Sequence, residues 1–280
     1  MRSRQELKNE FRERLLSLYS EREVQRLFHI FLEHFIGRNL VFASGEARIN
    51  TQENQCIMAG LARLEKGEPY QYILGEIFFD SIRLKLKPGV LIPRPETEEL
   101  LDIIKKDVGI TEPEAILDAG TGSGCIALAL KKHFRGSRVT AVDVSPAALA
   151  IARENALLNA LDVDFQQWDL LGRAFEDLPY FDLIVSNPPY IALSEKSALT
   201  TQVLDHEPDE ALFVPGDDPL IFYRHIRQIA EIRLNEGGMI FLELNARYAQ
   251  ETQRLFTANN WQASLIEDLS GNLRFLRAWK

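Results

Sequence analysis

The chain has 280 residues, 46% hydrophobic and 26% charged, with 16 glycines, 12 prolines and two cysteines, proportions that exclude a disordered, collagen-like or disulfide-stapled chain. Net charge is −9 and uneven: residues 1–75 carry 11 basic and 10 acidic side chains, residues 76–280 carry 21 and 31. That acidic excess argues against naked nucleic acid as the main partner, since affinity there comes from Lys and Arg displacing counterions at phosphates.

In the first third, Leu7, Phe11, Leu15 and Leu18 recur at helical spacing, as do Val24, Leu27, Phe28, Phe31, Leu32 and Phe35. A third helix opens at Thr51, turns Ile57, Leu61 and Leu64 inward, and stops at Gly67 and Pro69. Residues 1–74 are therefore expected to form a small helical bundle. FFDSIRLKL (78–86) reads as two strands joined at Asp80-Ser81, which makes residues 75–92 a β-hairpin linker. Pro93, Pro95, Glu96, Thr97, Glu98 and Glu99 then open a helix with acids at the positive end of its dipole.

From residue 115 strands and helices alternate: AILDA, helix 123–133, RVTAVDV, helix 146–160, VDFQQW, DLIVS, helix 219–234, MIFLEL, helix 247–259 and two final strands around Ser270-Gly271-Asn272. The alternation predicts an α/β domain over 93–280, a parallel sheet covered by helices and edged by an antiparallel hairpin. No apolar run approaches the roughly 18 residues of a membrane span, and the charged start MRSRQELKNEF does not fit a signal peptide. A cytoplasmic protein with no membrane contact is expected, with Cys56 and Cys125 as small buried hydrophobes.

AILDA runs into Gly120-Thr121-Gly122-Ser123-Gly124, glycines that let a ligand approach the backbone at the carboxyl edge of the sheet. A dinucleotide fingerprint needs its third glycine at 125, which is Cys, so a pyrophosphate fits poorly. Asp143 ends the next strand, where a carboxylate can accept both hydroxyls of a ribose. DLIVS ends at the same edge in Asn187-Pro188-Pro189-Tyr190. There an amide oxygen, a stiffened turn and an aromatic wall suit a planar NH2 group. The two loops together predict S-adenosylmethionine as methyl donor and an amide or amino nitrogen as acceptor. Catalysis would rest on positioning, because the proton leaves easily once the nitrogen is alkylated. The five histidines, at 29, 34, 133, 206 and 225, are scattered and suggest no metal cluster.

PYQYILG (69–75), VLIPRPETEEL (90–100), ILDAGTGSGCIALAL (116–130), DVSPAAL (143–149), VSNPPYI (185–191) and HEPDEAL (206–212) together resemble the glutamine N-methyltransferases of peptide chain release factors, the PrmC or HemK family. The resemblance spans essentially the whole chain. It implies a class I S-adenosylmethionine-dependent methyltransferase, a Rossmann-like seven-stranded sheet preceded by a helical domain that docks the release factor. The reaction it implies is methylation of the glutamine in the factor's Gly-Gly-Gln tip, supporting translation termination, by a monomer without direct nucleic-acid contact. Carried over by position, Gly120, Thr121, Gly122, Ser123, Gly124 and Asp143 bind the donor, and Asp169 with Leu170 lies near the adenine. Asn187, Pro188, Pro189 and Tyr190 hold the glutamine amide, with Asn187 also at the donor.

One departure is VPGDDPL, where Pro215 and Pro219 replace the family's usual glycines and stiffen the loop beside the site. An adenine-amine methyltransferase acting on DNA or RNA would use the same Asn-Pro-Pro-Tyr loop. Residues 197–223 count against it, since they hold Asp205, Glu207, Asp209, Glu210, Asp217 and Asp218 and no Lys or Arg. A non-catalytic S-adenosylmethionine-binding adaptor would not need Asn187.

Overall fold

Side-chain caps followed by apolar residues at helical spacing, and aliphatic runs bounded by turns, divide the chain into its elements. The computed structural model describes residues 1–41, 43–109, 112–172, 178–258 and 260–280. In chain order these hold β1 (Arg2–Ser3), α1 (Arg4–Leu15), α2 (Glu21–Phe35), α3 (Arg38–Val41), β2 (Arg48–Ile49), α4 (Thr51–Leu64) and α5 (Tyr70–Leu74). The hairpin strands β3 (Glu76–Phe79) and β4 (Ile82–Lys85) follow, then α6 (Pro95–Val108), β5 (Ala115–Ala119), α7 (Cys125–His133), β6 (Arg138–Asp143), α8 (Pro146–Asn159), β7 (Asp164–Gln167) and β8 (Phe181–Ser186). The last stretch holds α9 (Thr201–His206), α10 (Asp209–Leu212), α11 (Ile221–Arg233), β9 (Leu234–Glu243), α12 (Ala249–Leu255), β10 (Gln262–Glu267) and β11 (Leu273–Trp279). No described helix is long and apolar enough to cross a membrane.

Two compact units result, Met1–Glu76 with Thr201–His206, and Ile77–Thr200 with Glu207–Lys280. In the first, Ser3, Ser20 and Asn50 cap α1, α2 and α4, and Glu6, Glu23 and Glu53 each return a carboxylate to the cap N–H. Their inner faces meet in one apolar cluster, where Phe11 stands edge-on to Phe28 and Phe31 at 5.4 and 5.6 Å. Gly60 permits the close approach of α4, because a Cβ there would fall 2.5 Å from the Phe31 ring. Two expectations fail here. α1 ends at Leu15, before the turn that leads to the Ser20 cap, so Leu18 is 55% exposed rather than inward. Cys56 is exposed as well. Helix α9 belongs to this unit although it is distant in sequence.

The second unit is built on a seven-stranded sheet of order β10-β11-β9-β8-β5-β6-β7. β7, β6, β5, β8 and β9 are parallel, and β11 runs antiparallel to β9 and β10. Alternate residues feed two cores: Ile116, Leu183, Val185 and Phe241 pack with α6, α7 and α8, while Leu117, Ile184, Ile240 and Leu242 pack with α11 and α12. β5 leads to β6 on one side and lies beside β8 on the other, a switch point that opens a crevice at the carboxyl ends of the strands.

The hairpin turns at Asp80 and Ser81, both at positive φ (39° and 69°), the conformation that matches the twist of two antiparallel strands. The acids opening α6 are fastened as well as placed at the dipole: Glu98 accepts the Asp80 N–H at 2.9 Å and Glu99 the Leu269 N–H at 2.8 Å. The helix expected over 219–234 starts at Ile221 and yields to β9 at Leu234. The ladder to β8 slips between Phe181 and Leu183, and Gly237 at φ 78° absorbs the irregularity. Of the helix expected over 247–259, residues 249–255 form α12, and residue 259 lies outside the described residues.

Candidate active site

All five residues of β5 are buried, which leaves its carboxyl end and the glycines after it as the first ligand-facing backbone. Gly120 and Thr121 donate to the Val142 carbonyl at 2.9 Å each, and Gly124 at φ 82° caps α7. A Cβ at Gly124 would stand 3.2 Å from that of Ala152, so this glycine serves packing between α7 and α8. Gly122 differs: at φ 55° its missing Cβ would meet nothing within 4 Å, which leaves room for a ligand. Asp118 holds the loop from beneath, accepting from Thr121 Oγ1 at 2.6 Å and the Ala127 N–H at 3.0 Å. Burial pushes its carboxyl up to about 7 despite both bonds. Asn155 on α8 clamps the same loop to the hairpin, donating to Ser123 O and Lys85 O and accepting the Lys85 N–H at 2.7 Å.

Asp143 accepts the Gly122 N–H at 2.8 Å on one oxygen and the Ser145 N–H at 2.9 Å on the other. Each oxygen keeps a second lone pair for a ligand hydroxyl. Burial raises its pKa, and these two N–H donors oppose the shift. Asp169 fixes its own turn by accepting the Leu171 N–H at 2.9 Å, and Leu170 is buried.

At the end of β8, Ser186 donates to the Ala119 carbonyl at 2.5 Å and brings the Asn-Pro-Pro-Tyr loop beside the glycine loop. Asn187 Nδ2 donates to Thr97 Oγ1 at 3.3 Å, and Thr97 Oγ1 donates to Glu243 Oε2 at 2.8 Å. Burial pushes the Glu243 carboxyl up to about 7, against the Thr97 hydrogen bond and nearby Arg274. Burial likewise lifts the Tyr190 phenol to about 12. Glu207, expected on an acidic rim, is instead buried, paired with Arg94 at 2.6 Å and accepting the Ile92 N–H at 3.4 Å. It fastens the segment before α10 to the start of α6.

These elements enclose a cavity of about 510 Å³. Of the residues expected at the site, Gly120, Gly122, Asp143, Asp169, Leu170, Asn187 and Pro189 line it. Thr121, Ser123 and Gly124 of the same loop do not line it, nor do Pro188 and Tyr190; Tyr190 packs against the core shared with α11. Trp168, Pro215 and Val90, the first residue of VLIPRPETEEL, are also in the wall, with Phe213 and Phe222, which no motif marked. Asp209 and Glu210 give it an acidic side. Open backbone at two glycines, a carboxylate with free lone pairs and apolar walls fit an adenosine-bearing donor.

The chain matches the model of the methyltransferase small domain over residues 95–252. It is 39% identical over 277 residues to the release factor glutamine methyltransferase of Flavobacterium psychrophilum, covering 96% of each chain. It is 38% identical to that of Bacteroides thetaiotaomicron, covering 95% of this chain and 96% of the relative. Among solved structures, the hMettl16 catalytic domain superposes with a TM-score of 0.54 at 16% identity, covering 83% of this chain and 86% of that one, a likeness of fold. Full-length identity at this level, on a sheet whose switch point holds both loops in one cavity, places the chain in the release factor glutamine methyltransferase family.

Proposed function

We propose that the cavity binds S-adenosylmethionine along Gly120, Gly122 and Asp143, with Asp169 and Leu170 toward the adenine, and receives at Asn187 the side-chain amide of a glutamine. As a member of its family the chain is an S-adenosylmethionine-dependent methyltransferase acting on the glutamine of peptide chain release factors, in the Gly-Gly-Gln tip. The observation that carries the site reading is that Gly122, Asp143 and Asn187 share one cavity.

The donor, when bound, supplies a methyl group on a positively charged sulfur that departs as a neutral thioether. The chain's residues supply position. Asn187 accepts one hydrogen of the incoming NH2, and a carbonyl of the stiff Pro188-Pro189 turn accepts the other, so the nitrogen approaches in one orientation. Hydrogen bonds that strengthen as the nitrogen gains positive character favour the transition state over the bound amide. The apolar walls exclude water that would compete as acceptor.

Asp209 and Glu210 in the cavity wall favour a basic protein tip over a phosphate backbone. We read residues 1–74 as the docking domain for the factor, 75–92 as the linker and 93–280 as the methyltransferase domain of a cytoplasmic monomer that contacts neither nucleic acid nor membrane. The test offers labelled donor with purified release factor, tRNA or DNA in separate reactions. Label is expected on the factor alone; label on either nucleic acid would contradict the reading.

A further inference from the structure

Two buried side chains that no motif assigns stand behind Asn187. Thr97 lies in the first turn of α6 and Glu243 ends β9, and both are 2% exposed. Thr97 Oγ1 donates to Glu243 Oε2 at 2.8 Å, and Asn187 Nδ2 donates to Thr97 Oγ1 at 3.3 Å. A threonine hydroxyl has one proton, and here the carboxylate takes it. Its oxygen is left as an acceptor, which only the NH2 end of the Asn187 amide can satisfy.

The polarity matters because the two ends of an asparagine amide have nearly the same shape and opposite chemistry. Half a turn about one bond would present NH2 to an incoming NH2, donor against donor. We infer that Thr97 and Glu243 are positioning residues: a one-way relay from Asn187 N–H through Thr97 O–H to the Glu243 carboxylate keeps the oxygen end of Asn187 for the substrate amide. A carboxyl suits the end of such a relay: above about pH 7, where Glu243 is ionised, it can only accept. The inference rests on the reading of Asn187 as the acceptor of the glutamine amide.

A double-mutant cycle on the full-length protein tests it, with purified release factor, radiolabelled S-adenosylmethionine and single-turnover rates. Thr97→Val keeps the shape and removes the hydroxyl. Its transfer rate is expected to fall about ten- to a hundredfold. Affinity for S-adenosylhomocysteine by calorimetry should stay within about twofold, and Thr97→Ser should restore the rate to within a few-fold of wild type. Thr97→Ala removes the same hydroxyl by a different route, so a variant that has lost donor binding through misfolding can be set aside. Asn187→Ala should lose at least about a hundredfold, and adding Thr97→Val should cost no more, because Thr97 acts only through Asn187. Additive losses, or a wild-type rate in both Thr97→Val and Thr97→Ala beside an inactive Asn187→Ala, would overturn the relay alone. A near-wild-type rate in Asn187→Ala would overturn the site reading and the relay with it.

Discussion

Asp143 holds the glycine loop and offers the ligand its remaining lone pairs with the same two oxygens. Asp143→Ala is therefore expected to weaken donor binding by about ten- to a hundredfold, the equivalent of roughly 1.5–3 kcal/mol for a charge-assisted pair. Calorimetry with S-adenosylmethionine checks this, and unchanged affinity would remove the ribose assignment. Asp143 and Asn187 are legible in the sequence because each ends a strand at the carboxyl edge, where a polar residue has no structural duty in the sheet. Thr97 and Glu243 are not. Thr97 looks like part of a helix opening and Glu243 like the polar end of the apolar run MIFLEL; their bond joins residues 146 apart, which only the packed fold brings together. Glu207 misleads in the opposite sense. Its neighbours suggest an exposed acidic run, yet its carboxylate is the buried partner of Arg94.

The glycine loop separates two roles that the sequence presents as one repeat. Gly124→Ala and Gly122→Ala both force a side chain into the left-handed region, about 1–2 kcal/mol each, but only Gly124→Ala also drives it against Ala152 at 3.2 Å. Gly124→Ala should lower the denaturant midpoint clearly. Gly122→Ala meets nothing at its Cβ, so it should cost less stability while weakening donor affinity more, because the methyl enters the space kept for the ligand. Equal effects of the two on both measurements would contradict that division. The run AILDA ahead of the glycines located β5 to the residue, because its four apolar residues mark a strand buried on both faces even though Asp118 interrupts them. The run MIFLEL misses the start of β9, because the strand already begins at Leu234 and bulges through Gly237 and Gly238. The attachment of α9 to the N-terminal unit could not be read either, as six residues between loops carry no periodicity that names a partner.

For the whole molecule, a carboxyl buried behind the active site has a cost that depends on pH. Folding raises the Glu243 pKa from the ordinary 4.5 to about 7, so between these values the folded chain keeps a proton the unfolded chain has lost. Its contribution is full below pH 4.5, declines as pH rises toward 7, and is constant above. At about 1.4 kcal/mol per pH unit the loss amounts to roughly 3 kcal/mol. Glu243→Gln, which cannot ionise, should lack that decline; parallel stability curves for the two proteins between pH 4.5 and 7 would contradict the assignment. The central claim is that one cavity brings the donor methyl to a glutamine amide held by Asn187. Mass-spectrometric mapping of a purified release factor, after incubation with S-adenosylmethionine and either wild-type protein or Asn187→Ala, tests it most directly. The account predicts a single added methyl on the side-chain nitrogen of the Gly-Gly-Gln glutamine, lost in Asn187→Ala and absent when that glutamine is replaced by alanine. Methyl on any other residue, or undiminished labelling by Asn187→Ala, would contradict it.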